Sequence, residues 1–100
     1  MKIAVTYENG QVFQHFGHTE QFKIYEAAEG KVVSARVVET GGSGHGALAG
    51  FLRGLGVDTL ICGGIGGGAI AALNEAGITL YAGVAGDADA AVEALLAGNL

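Results

Sequence analysis

The sequence predicts an α/β fold, a three-layer α/β/α sandwich around a mixed sheet. Before residue 40 the apolar residues recur with a period of two, the period of strands. After residue 40 short apolar runs alternate with helix-period segments, the order that right-handed βαβ crossovers require. Half of the 100 residues are apolar, which supplies one packed core but not two, so one domain over residues 1–100 is expected.

KIAVTY (residues 2–7) alternates and is β-rich, so it reads as the first strand. Asn9-Gly10 is a two-residue hairpin signal, and it turns the chain into a short extension, residues 11–13, that leads to a histidine loop. FKIYEA (22–27) and KVVSARVVE (31–39), separated by Glu29-Gly30, read as an antiparallel pair. GALAGFLRGLG (46–56) puts Leu48, Phe51, Leu52 and Leu55 on one helical face, with Gly56 as a stop. DTLICGG (58–64) is a short buried strand, GGAIAALNEAG (67–77) a helix closed by Gly77, and ITLYAGV (78–84) the last strand. DADAAVEALLAG (87–98) is a final helix, with Asp87 as its N-cap and Gly98 just past its end.

Charge and composition exclude several classes. Residues 1–53 carry five basic and five acidic side chains, whereas residues 54–100 hold no Lys or Arg, so the net charge of −5 sits in the second half. Such a surface repels a phosphate backbone, and nucleic acid is not an expected partner. No apolar run approaches the ~18 residues of a membrane helix, and Met1-Lys2 runs straight into a strand rather than a signal peptide. The lone Cys62 permits no internal disulfide and fits a reducing compartment, so a cytoplasmic protein is expected.

All three histidines stand in glycine-flanked loops: His15 and His18 around Phe16-Gly17, and His45 between Gly44 and Gly46. If the first strand is central, the histidine loop and the loops GGSGHG, GGIGGG and AGDA gather on one edge of the sheet. Ligands of open α/β sheets bind at that edge. Glycines there allow close approach of the backbone, and helix N-termini offer free amides to an anion. The ligand implied is large and anionic, able to accept from backbone amides and imidazole.

Plainer readings stand beside this one. The spacing of His15 and His18 by itself favours polar loop residues over a metal pair, and Phe13, Phe16 and Phe22 read as core anchors. Cys62 reads as a small core hydrophobe, with ligand contact left open. Gly64, Gly66 and Ala69 also satisfy the dinucleotide pattern G-x-G-x-x-[GA], with Asp87 about 20 residues on, which keeps a nucleotide- or phosphate-binding regulatory domain as the second reading. A protein-interaction module that docks through its glycine loops is the third. No serine lies in a nucleophile elbow and no carboxylate pair is evident, so no catalytic residue is assigned and an enzyme is not expected.

The stretches MKIAVTYENGQVFQHFGHTEQFKIYE, GHGALAGFL and GVDTLICGGIGGGAIAALNEAGITLYAG resemble, in order and over essentially the whole chain, the dinitrogenase iron–molybdenum cofactor biosynthesis family. That family takes in NifX-like proteins, the C-terminal domain of NifB and the orange protein. The resemblance implies a ribonuclease H-like sandwich whose five strands run in the order 3-2-1-4-5, with the second antiparallel. It implies no nuclease, because KIAVTY lacks the carboxylate that a two-metal nuclease needs there. It implies binding of an iron–sulfur or molybdenum-containing cluster, as carrier, store or assembly factor, with cluster donor or acceptor proteins as partners. On this chain the implied contacts are His15, Phe16, Gly17, His18, Gly44, His45, Gly46, Gly64, Gly66, Gly67 and Gly68, with His15, His18 and His45 as metal ligands. The scarcity of basic residues departs from what an anion would favour and leaves the affinity to backbone amides.

Overall fold

The computed structural model describes residues 1–41 and 45–100, the side chains of residues 45 and 46 excepted. In chain order the elements are β1 (Lys2–Glu8), β2 (Gln11–Val12), a 3-10 turn (Phe16–His18), β3 (Gln21–Ala28), β4 (Lys31–Glu39), α1 (His45–Gly54), β5 (Thr59–Ile61), α2 (Gly67–Glu75), β6 (Thr79–Tyr81) and α3 (Ala88–Leu96). The mixed α/β architecture is the expected one. The sheet follows the path β4-β3-β1-β5-β6, with β3 antiparallel to both neighbours and β5 and β6 parallel to β1. It has six strands rather than the five expected, because the extension after the first turn hydrogen-bonds back onto β1, pairing Tyr7 with Val12 and Glu8 with Gln11. The turn that allows this has φ of 49° at Asn9 and 83° at Gly10, the doubly positive geometry that matches strand twist.

Alternation along the strands divides the core in two. Ile3, Val5, Tyr25 and Ile61 pack against Ala88, Ala91 and Val92 of α3. Ala4, Phe22, Ile24, Leu60 and Cys62 face the opposite way, toward Leu48, Ala49 and Leu52 of α1 and Leu73 of α2. Leu48, Leu52 and Leu73 are fully buried, each worth about 1.5–3 kcal/mol relative to exposure. Helices therefore cover both faces.

α3 is fixed at its start. The Asp87 side chain accepts from the Ala90 amide at 2.8 Å, the capping bond expected of it. Asp89 accepts from Lys23 Nζ at 2.8 Å and from Tyr25 Oη at 2.5 Å. Those two bonds, Lys23's first, hold the Asp89 carboxyl below the usual carboxylate range, while burial and then Asp89 push the Tyr25 phenol well above its ordinary value.

β5 and β6 end earlier than the apolar runs suggest. Past Ile61 the chain leaves the regular ladder, although Cys62 N still donates to Tyr81 O at 3.0 Å and Gly83 N to Gly63 O at 2.9 Å. It leaves because Gly63 and Gly64 turn to meet the histidine loop.

Candidate functional site

The histidine loop is built from β1 outward. Phe13 N donates to Thr6 O and Thr6 Oγ1 to Phe13 O, both at 2.8 Å, so a fully buried threonine holds the loop's first residue. Phe16 then drops its ring into the core, 6.1 Å from the ring of Phe22, which itself stacks on Phe51. His18 N donates back to His15 O at 3.0 Å and closes a tight turn around the buried Phe16. His15 and His18 are thereby left exposed, with His15 edge-on to Phe13 at 6.0 Å.

The glycine loop after β5 is locked to this turn. Gly64 N donates to Gln14 O at 2.6 Å and Phe16 N donates to Gly64 O at 3.0 Å, a parallel bridge between the two loops. Gln14 extends the lock to a third loop, since its Nε2 donates to Val12 O at 3.1 Å and to Val84 O at 3.0 Å. Gly63 lies under Gln14 so closely that an added Cβ would stand 2.6 Å from the Gln14 Cα. These two glycines serve the packing of protein on protein. The Gly64 N–H is already spent and offers nothing to a ligand.

The next three glycines differ. A Cβ on Gly66, Gly67 or Gly68 would meet nothing within 4 Å, and none of the three has a positive φ. Glycine within a helix costs roughly 0.8–1 kcal/mol relative to alanine. The fold therefore gains nothing from Gly67 and Gly68, the first residues of α2. Gly66 stands at the N-cap and supplies no side-chain cap, so among the described residues the first amides of α2 have no intrahelical or side-chain acceptor.

The two loops enclose a groove of about 670 Å³ between the histidine turn and α2. Of the residues expected in the site, His15, Phe16, Gly17, His18, Gly64, Gly66 and Gly68 line it. Gly67 opens instead onto a neighbouring groove between α2 and β6. Gly44 lies outside the described residues; His45 and Gly46 stand at the start of α1, and their side chains lie outside the description. The sequence reading missed Ile65 and Ala72 and named Ala69 only in the dinucleotide pattern; together the three form an apolar wall. Their spacing of four and three along the start of α2 was the available signal.

Among the described residues no Lys, Arg, Asp or Glu lines the groove. Among the described residues no three His, Cys, Asp or Glu side chains gather as a metal centre. Cys62 is fully buried in the α1–α2 core, and burial pushes its thiol up to about 11. It is a protonated thiol at neutral pH rather than a ready thiolate ligand. What the groove offers is two exposed imidazoles on one wall, free helix amides on another, and an apolar floor cleared by glycine. That combination suits a bulky anion with a soft, weakly hydrated surface.

Residues 1–98 match the sequence model of the family described as Dinitrogenase iron-molybdenum cofactor. The chain is 41% identical over 86 residues to the FeMo cofactor biosynthesis protein NifB of Sinorhizobium fredii, a match covering 78% of this chain and 17% of that protein. The chain thus spans under a fifth of the length of that relative. It superposes on the crystal structure of PH0822 with a TM-score of 0.95 at 30% identity, covering 100% of this chain and 92% of the other. The apo form of the orange protein from Desulfovibrio gigas gives a TM-score of 0.86 at 31% identity, covering 98% and 88%. No described helix is long and apolar enough to cross a membrane.

Proposed function

The chain belongs to the dinitrogenase iron–molybdenum cofactor family, and we propose that this protein carries, stores or helps to assemble an iron–sulfur or molybdenum-containing cluster as its cargo. The observation that carries the reading is the pair Gly66 and Gly68 at the start of α2, where a Cβ would meet nothing within 4 Å, lining the same groove as His15 and His18. Free amides at a helix start favour an anion, and side chains there would obstruct a bulky one. His15, His18 and His45 are the imidazoles assigned to the metal, and Gly17 lines the groove beside the first two. No residue is assigned a catalytic role; the chemistry is binding and release. Partners are then cluster donor or acceptor proteins, the compartment is the cytoplasm, and the sandwich is read as ribonuclease H-like.

The dinucleotide reading draws less support. Its pattern needs a carboxylate free to bind a ribose at Asp87, but the Asp87 side chain caps α3 and accepts from the Ala90 amide. The test is anaerobic reconstitution of the protein with iron–sulfur or thiomolybdate clusters, followed by gel filtration, a visible spectrum and elemental analysis. Stoichiometric metal and sulfide with a charge-transfer band are expected, and NAD or ATP should leave Tm unchanged. Metal-free protein together with a nucleotide-raised Tm would reverse the assignment, since a ligand at 100 times its Kd adds about 2.7 kcal/mol.

A further inference from the structure

β4 is the outermost strand of the sheet path, paired to β3 on one side only. Of its nine residues only Val32 and Val38 are even partly covered, and Val33 and Val37 are 64% and 44% exposed. Nine residues of open edge with exposed valines form a template for a further strand. The direction of the free groups follows from the β3–β4 ladder. Thr40 N donates to Glu20 O, and the register continues through Phe22↔Val38, Ile24↔Arg36 and Glu26↔Ser34. Antiparallel alternation then turns the backbone groups of Ala35, Val37 and Glu39 outward. Ala35 and Val37 sit opposite Tyr25 and Lys23, on the side of the sheet where α3 packs over β1 and β2, and both are exposed.

We propose that β4 pairs antiparallel with β4 of a second copy, about a twofold axis at Ala35, joining the two sheets edge to edge. The strand is matched to itself in that sense. Lys31 begins it and Glu39 ends it, so an antiparallel copy sets each charge beside its opposite at both ends, whereas a parallel copy would set like beside like. Val32-Val33 precede Ala35 and Val37-Val38 follow it, so valines meet valines on both sides of the axis. The register of β4 against β3 shifts between Glu26 and Ala27, skipping Val33. That bulge lies in both copies and keeps the joined ladder short. A twofold contact of this kind uses the same patch twice and closes on itself. The opposite edge of the sheet, β6, has only three residues to offer a third copy.

Sedimentation velocity over a wide concentration range should show the 10.0 kDa chain passing to twice that mass, and Val37→Lys, at an exposed position, should return it to the monomer. Ala35→Cys provides the second measurement, because the only native cysteine, Cys62, is buried. Hydrogen-bonded antiparallel pairs hold Cα atoms about 5.5 Å apart, within disulfide reach, so mild oxidation should link two copies of this variant. Val37→Cys, two residues from the axis on each copy, should not link to itself. A single 10.0 kDa species at every concentration overturns the proposal. So does a dimer that survives Val37→Lys and links through Val37→Cys as readily as through Ala35→Cys.

Discussion

Gly63→Ala is expected to destabilise the protein by about 2–4 kcal/mol and to shift the histidine turn off α2. The new Cβ would stand 2.6 Å from the Gln14 Cα and 2.7 Å from its Cδ and Oε1. Overpacking of this kind costs roughly 1–3 kcal/mol, and losing the neighbouring bond from Gly64 N to Gln14 O adds about 1 kcal/mol. Truncating Gln14 as well removes the side-chain contacts but leaves the Cα, so Gln14→Ala should restore only part of the loss. Gly68→Ala is the control. With nothing within 4 Å of its Cβ and helical backbone, it should hold or raise stability by up to about 1 kcal/mol. Urea midpoints of the variants check the order. If Gly63→Ala and Gly68→Ala unfold at the same midpoint, the close approach of the two loops is not what fixes the site.

Phe16→Ala should have the largest effect on stability of any single change in the histidine loop, about 3–5 kcal/mol. Its ring is 1% exposed and packs in the α1–α2 core with Phe22. Small domains have only about 5–15 kcal/mol in hand, and each kcal/mol moves Tm by about 4–8 °C at this size. The backbone of the same residue forms the bridge to Gly64, so the loss falls on the site as well as on the core. Far-UV circular dichroism with temperature reads the first effect. Amide exchange at His18 and Gly64, both bonded across this turn, reads the second. A Phe16→Ala protein with unchanged Tm would mean that the turn is not anchored by this ring.

Elements whose chemistry is local were legible in the sequence. The two-residue turns at Asn9-Gly10 and Glu29-Gly30 both have positive φ at each position, which Asn9 and the two glycines favour and Glu29 adopts against its residue type. KVVSARVVE is β4 to the residue, and the face Leu48, Phe51, Leu52 and Leu55 is the one that α1 turns to the core. Asp87 caps α3. What depends on distant parts of the chain was not legible. The glycines of GGIGGG look alike in sequence, yet Gly63 and Gly64 are small because Gln14, some fifty residues earlier, passes over them. Gly66 to Gly68 have no such neighbour. The apolar wall of Ile65, Ala69 and Ala72 was missed because alanines at a helix start carry little pattern, and only the docking of the histidine turn makes them a surface.

Cluster retention by the wild type against His15→Ala and His45→Ala bears most directly on the central claim, that imidazole and helix amides together hold the cargo. After identical anaerobic reconstitution, each protein passes gel filtration and its metal and sulfide per chain are measured. His15 is exposed, so the substitution should leave the fold intact, and circular dichroism checks this independently. The wild type should emerge loaded, and each variant should retain about tenfold less, the ratio given by about 1.4 kcal/mol of lost contact. Equal retention by the wild type and by the double variant would contradict the claim and leave the histidines as loop residues with no part in binding.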